Sequence, residues 1–267
     1  MCTYSQLYKG AYTGNVVERI SVDNTLFSKT QYTAGNNEGG FHCHENSHIS
    51  FVFEGGDIEK NKRESYERKA GDIFFYEAGE PHETIFRSQT SKNLNIEFES
   101  TFFSRHEISS NQIDVAINKN PDAKFLVLKI LQELDLCYSN SHETIKFLIL
   151  ELCFLGKQCS INRPDWVRQL AEMLNDRWDE QISLEELSIA LNVHPVTISK
   201  HFRKYFFCTY GEFMRKLKVE RSVSLIRRSK MPLTEIAYSC GFSDQSHFTR
   251  SFKGFLGFLP KDLREMQ

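Results

Sequence analysis

The chain has 267 residues, 40% of them hydrophobic and 25% charged, with a formal net charge of −2, which suits a globular protein of about two domains. The longest apolar run, FLILELCFLG (147–156), is interrupted by Glu151, and the start MCTYSQLYKG has no apolar core; neither a membrane span nor a signal peptide is expected. The seven cysteines are odd in number, irregularly spaced and without a C-x-x-C pair, which argues against a disulfide framework or zinc knuckle and for a reducing cytoplasm.

Residues 15–100 read as β-structure. HISFVF (48–53), SYERKAGD (65–72), IFFYE (73–77), ETIFR (83–87) and NLNIEF (93–98) are short, aromatic and separated by Gly, Pro, Asn and Asp. That pattern predicts an antiparallel sandwich or barrel. Ahead of it, FHCHENSH (41–48) packs three histidines and a glutamate into eight residues. Together with Gly71-Asp72 and Gly79-Glu80-Pro81-His82, the His42-Cys43-His44 triplet resembles a cupin. In that family an H-x-H, a following acid and a later histidine gather around a metal. His48 stands where the glutamate is usual. Residues i and i+2 of a strand share a face, so His42, His44 and, by the same parity, His48 are expected to converge on His82. Neutral imidazoles there suit Zn, Fe, Ni or Cu. Cys43 is expected in the core and Glu45 in a loop.

After Pro121 the period changes to that of helices. Phe125, Leu128, Leu131, Leu134 and Leu136 mark one, and Ile145, Leu148, Ile149 and Leu152 another, with CYSNSHE (137–143) as the turn. This helical pair (120–158) packs on the β-domain or forms a dimer.

From Asp165 onwards the chain reads as short helices. ISLEELSIALNV (182–193) opens on a Ser183…Glu186 capping box. HPVTISKHFRKYF (194–206) starts with Pro195 near the first helical position, and a long helix follows over roughly 211–228. LTEIAYSC (233–240), the turn Gly241-Phe242 and DQSHFTRSFKGF (244–255) then repeat the unit. LSIALNVHPVTISKHFRKYF lines up with IAYSCGFSDQSHFTRSFKGF, an internal repeat of about 49–50 residues. A helix-turn-helix used twice is the natural reading. Charge agrees: residues 194–230 hold ten Lys/Arg against two Asp/Glu, a local excess that suits an anionic partner.

EIAYSCGFSDQSHFTRSFKGFLGFLPKDLRE (235–265) resembles the signature of the AraC/XylS transcription regulators. The resemblance is carried by Ile236, Ala237, Gly241, Phe242, Phe248, Arg250, Phe252, Lys253, Gly257, Pro260 and Arg264, within about 100 similar residues (165–265). It implies a seven-helix DNA-binding domain with a central linker helix. Ser222 stands where the family usually has alanine. His194 stands where a serine cap is frequent, so a weaker start to that helix is expected. Second helices of such units enter the major groove. The candidate DNA contacts are Val196, Thr197, Ser199, Lys200, Arg203 and Lys204 in the first, and Gln245, Ser246, His247, Thr249, Arg250 and Lys253 in the second. Gln245 suits adenine, Lys200 or Arg250 guanine or a phosphate, and Lys204 and Lys253 phosphates.

The fold class is therefore α+β: a cupin-like domain (10–105), the helical pair (120–158) and a double helix-turn-helix domain (163–267). The function expected is a cytoplasmic, dimeric, non-enzymatic regulator. Its partners would be double-stranded promoter DNA, a small-molecule effector and RNA polymerase. For His42, His44, His48 and His82 three readings stay open: a metal-free effector pocket, a metal that is structural or part of sensing, or a metalloenzyme with an accessory DNA-binding domain. No cofactor is certain. No P-loop, G-x-G-x-x-G, G-x-S-x-G or H-E-x-x-H occurs.

Overall fold

The computed structural model describes residues 4–33, 40–85, 90–136, 140–159, 163–180 and 182–266. Cys2, Cys137 and the start of the expected turn at 137–143 lie outside them. Two compact units divide the chain, one chiefly Met1–Ser160, the other Ile161–Ile226 with Lys230–Leu263.

The first unit opens with β1 (Ser5–Leu7), β2 (Asn15–Val22), β3 (Thr25–Tyr32), β4 (His42–His44) and β5 (His48–Glu54). It continues with β6 (Gly56–Asn61), β7 (Ser65–Lys69), β8 (Ile73–Tyr76), β9 (His82–Ile85) and β10 (Ser91–Phe98). They form two five-stranded sheets, in the orders β1-β4-β9-β6-β7 and β2-β3-β10-β5-β8. The pairs are antiparallel except for β1 against β4, where Ser5 lies opposite His42.

Strand β10 explains the character of this domain. Leu94, Ile96 and Phe98 are buried, as the alternation requires, but so are Asn93, Asn95 and Glu97 on the opposite face. The apolar face meets helices: the rings of Phe98 and Phe102 lie 4.8 Å apart. The polar face is buried as well, so the sheets enclose polar groups.

Four helices complete the unit: α1 (Ser100–Arg105), α2 (Ser110–Lys119), α3 (Pro121–Leu136) and α4 (Ser141–Cys159). The sequence reading did not anticipate α1 and α2. Helix α2 buries only Ile113, Ala116 and Ile117, a short apolar stripe, but Ser109 and Gln112 cap each other reciprocally at its start. Leu136, expected on the apolar face of α3, is 43% exposed.

The second unit is all helical: α5 (Asp165–Asp176), α6 (Leu184–Leu191), α7 (Pro195–Phe206), α8 (Tyr210–Arg228), α9 (Leu233–Ser239), α10 (Gln245–Leu256) and α11 (Pro260–Glu265). Leu170, Leu174, Leu187, Ile198, Phe202 and Leu217 gather in one apolar core. Each helix-turn-helix needs a left-handed residue between its helices. The first uses Asn192 at φ 51°, the second Gly241 at φ 71°. These are the residue types that accept that conformation, and they occupy equivalent places in the repeat. Cys43, Cys153, Cys208 and Cys240 are buried and form no disulfide among the described residues, as small core residues should be.

Candidate functional site

The candidate DNA-facing residues follow from how α7 and α10 are anchored. Ile198 and Phe202 bury one face of α7, and Phe248, Phe252 and Leu256 bury one face of α10. The helical period turns Val196, Ser199, Lys200, Arg203 and Lys204 outward on α7, and Gln245, Ser246, Arg250 and Lys253 outward on α10. Thr197, His247 and Thr249 are half-buried. The His247 ring packs 5.3 Å from that of Phe242, so it supports the turn as well as facing out. Val196 is 63% exposed at the start of α7, a position that suits contact with a thymine methyl.

The caps set where these helices begin. Ser183 and Glu186 form the expected capping box, at 3.1 and 2.8 Å. His194 replaces the usual serine without leaving the helix uncapped, since its Nδ1 accepts from Val196 N–H at 3.3 Å. Asp244 accepts from His247 N–H at 2.7 Å, and its carboxyl is held below the usual range first by that bond. Lys218 Nζ donates to the Gly241 carbonyl at 2.9 Å, tying α8 to the second turn. Ser222 is fully buried, its hydroxyl donating to the Val219 carbonyl at 2.7 Å. Among the described residues no helix is long and apolar enough to cross a membrane.

In the first unit, His42 and His82 lie directly opposite each other on β4 and β9, with ring centroids 4.5 Å apart. His42 and His44, two residues apart on β4, share a face. One nitrogen from each of His42, His44 and His82 falls within 4.8 Å of the others. His48 is not part of this group. Parity along one strand does not extend to His48, because the chain turns after His44 and His48 begins β5 in the other sheet. Its ring stacks on Tyr76 at 4.9 Å and lies 4.4 Å from that of His44. All four histidines are buried.

Backbone carbonyls orient two of these rings. Nδ1 of His42 faces Gly40 O at 3.2 Å and Nδ1 of His82 faces Glu80 O at 3.1 Å. A carbonyl only accepts, so each Nδ1 carries the proton and each Nε2 presents a lone pair. Burial, reinforced by the neighbouring imidazoles, pushes His82 down to about 3 and His44 further below the usual range. Burial likewise pushes His48 down to about 3. These histidines are neutral near pH 7, the form that binds metal.

Beside them stand buried charges that the sequence does not single out. Arg68 grips Asp57 with two bonds of 2.6 and 2.7 Å, reaches Tyr76 Oη at 2.7 Å and lies 3.1 Å from Glu59. Glu59 is fully buried, and its Oε1 has no hydrogen-bond partner among the described residues. That oxygen lies 3.9 Å from Nε2 of His82. Burial pushes the Glu59 carboxyl up to about 7, against the pull of Arg68. Glu97 accepts from Gly10 N–H, Asn46 and Tyr12 at 2.8, 2.8 and 3.3 Å. One signal was available: Asp57 and Glu59 alternate on a short strand, as inward-facing residues do.

Residues 187–266 match the family model of a helix-turn-helix domain. The chain is 28% identical over 106 residues to the HTH-type transcriptional regulator GbdR of Pseudomonas aeruginosa, covering 40% of this chain and 29% of that protein. It is 26% identical over 125 residues to the HTH-type transcriptional activator RhaS of Salmonella newport, covering 45% of each. The chain thus spans less than half the length of these curated relatives. Among solved structures, the C-terminal domain of AraT, a response regulator from Geobacillus stearothermophilus, is 24% identical, covering 39% of this chain and 87% of that one at a TM-score of 0.36. ToxT from Vibrio cholerae is 14% identical, covering 91% and 99%, at a TM-score of 0.38. Residues 187–266 are thus similar to a helix-turn-helix domain, and the C-terminal part of the chain is similar to parts of HTH-type transcription regulators.

Proposed function

We propose that the chain is a sequence-specific DNA-binding transcription regulator of the cytoplasm, not an enzyme, with its effector held in the N-terminal β-domain. The observation that carries this reading is the repeated helix-turn-helix. Two second helices each turn an exposed set, from Val196 to Lys204 and from Gln245 to Lys253, away from an apolar core. Such helices read the major groove while surrounding cations hold phosphates. Promoter DNA is then the partner, with RNA polymerase reached through it. Effector binding changes promoter occupancy only if the effector favours one of two states. The test is footprinting of promoter fragments at several salt concentrations. A defined footprint with a steep salt dependence supports the reading. Retention without sequence preference would make the chain an architectural DNA binder.

The homodimer has its own support. Phe147, Leu150 and Phe154 are 71%, 45% and 58% exposed along one face of α4. Glu143 and Lys157 stand near opposite ends of that helix. A second copy laid antiparallel would set Phe147 on Phe154 and Glu143 near Lys157, so the face complements itself. A Phe147→Glu, Phe154→Glu variant should sediment as a monomer.

A second reading is favoured by His42, His44 and His82. Their donors fit a transition metal, with Nε2 of His42 and His82 presented by carbonyl-anchored rings and the nearby imidazoles neutral. Bound there, a metal would serve sensing or structure. Elemental analysis of untagged protein purified without chelators tests this. About one metal per chain, lost on changing His42 and His44 together, supports a metal site. Absence of metal in a folded protein leaves an organic-effector pocket.

A further inference from the structure

Beside the histidine group the β-domain carries a cavity of about 330 Å³, with His82 among its lining residues. Its chemistry is one-sided. Glu64, Glu77, Glu80 and Asp114 line it, and Asn61 and Asn111 add amides, but no lysine or arginine does. Among the described residues none of the four carboxylates is in an ion pair. Glu77 accepts only from Ser47 at 3.3 Å, and Asp114 from Asn118 on its own helix at 2.7 Å. Burial pushes the Asp114 carboxyl upward, against the hydrogen bond from Asn118, and the charge of Glu77 adds a smaller push that Lys119 partly offsets. Glu64, Glu77 and Glu80 are exposed and Asp114 is half-buried, and carboxylates around one space attract a cation.

Two independent features say what kind of cation fits. Tyr66, Phe75 and Tyr76 line the same space, and aromatic faces attract organic cations. The His82 side chain is 6% exposed. With its Nδ1 proton given to Glu80 O, its Nε2 is an acceptor, and it has no hydrogen-bond partner within reach among the described residues. The space therefore offers the buried imidazole of His82, carboxylates around it and aromatic surface between them.

We propose that this cavity binds a small organic ammonium ion with N–H donors, a primary amine or diamine, as the effector of the regulator. An N–H group would donate to Nε2 of His82, the alkyl chain would lie on Tyr66 and Phe75, and Glu77 and Asp114 would hold the charge. The proposal rests on the regulator reading for its consequence, but the binding itself does not.

The test is calorimetry on the full chain with 1,4-diaminobutane, with and without prior chelator treatment. Saturable binding is expected, weakened by salt. The neutral isostere 1,4-butanediol should not bind, and tetramethylammonium, which has charge but no N–H, should bind far more weakly. Glu77→Gln and Asp114→Asn should each lower diamine affinity about tenfold while leaving the unfolding midpoint in place. Equal binding of the diol, unchanged affinity in the double variant, or binding of Ca²⁺ but not of the diamine would each overturn the proposal. Promoter footprinting on the same preparation separates the two readings. A footprint without diamine binding removes the amine site and keeps the regulator. Diamine binding without any footprint keeps the amine site and removes the regulator.

Discussion

The interiors of the two units are built on opposite plans. Among the described residues every buried polar or charged side chain but one lies in the first unit, and the exception is Ser222. The β-domain encloses His42, His44, His48, His82, Asp57, Glu59, Arg68 and Glu97. The helical domain encloses leucine, isoleucine, valine and phenylalanine and keeps its polar residues outside. Burying charge lowers stability unless partners are supplied, so a polar interior signals a ligand that comes in. An apolar interior under a polar surface signals a partner met from outside. Substitutions should therefore couple stability to effector chemistry in the first unit and separate stability from DNA binding in the second.

The largest expected break of that contrast is Arg68→Met. It removes the only cation facing Asp57 and Glu59 among the described residues and leaves a buried carboxylate unpaired, at about 3–5 kcal/mol. Urea unfolding of the first unit would register it. A loss below about 1 kcal/mol would mean that water reaches this network and that the interior is not a closed polar chamber.

Acid should act on the same unit, by somewhat less. His48 and His82 fall from about 6.5 unfolded to about 3 folded, and His44 falls too. As pH drops through that window the unfolded chain takes up protons that the folded chain refuses, so stability is lost. Between pH 7 and 5 each such histidine costs about 2 kcal/mol. Glu59 opposes them, because its folded value of about 7 lies above its unfolded one, and the penalty present at high pH fades as pH falls. Its return of about 2 kcal/mol offsets one histidine and leaves a net loss of about 2–4 kcal/mol. Chelator-treated protein unfolded in urea at pH 7 and pH 5 tests this, and stability that stays flat would rule out buried neutral imidazoles.

What could be read from the sequence divides along the same line. The repeat, the capping box at Ser183 and the turn at Gly241 are local patterns, and the helical unit follows them closely. The β-domain depends on pairings between distant strands. His42 meets His82 only because β4 and β9 are neighbours, and only the cupin resemblance, not any local pattern, points to that pairing. Glu59 is only weakly marked in the sequence, because its alternation with Asp57 gives a shared face but does not say whether that face is buried. His48 was placed with the triad because parity cannot see a chain crossing between sheets. The cap formed by His194 shows the same limit, since a histidine caps only in the rotamer that aims Nδ1 at Val196 N–H.

On the outer face of the second unit, Arg250→Ala should cost about 1–3 kcal/mol of specific DNA binding. Its stability effect should stay within about 0.5 kcal/mol, because the side chain is exposed. Comparing promoter and random DNA sharpens the assignment: equal losses on both would move Arg250 from base reading to phosphate holding.

The smallest effect is expected at the one polar residue inside the apolar unit. Ser222 is fully buried on α8, yet its hydroxyl is satisfied by the Val219 carbonyl one turn back. Ser222→Ala removes a donor whose acceptor remains available to the helix, and alanine has the higher helix propensity by a few tenths of a kcal/mol. Thermal unfolding should shift upward slightly or not at all, with DNA affinity unchanged. A loss above about 1 kcal/mol would show the hydroxyl holding a group that the apolar core cannot otherwise satisfy, and the two interiors would then differ in degree rather than in kind.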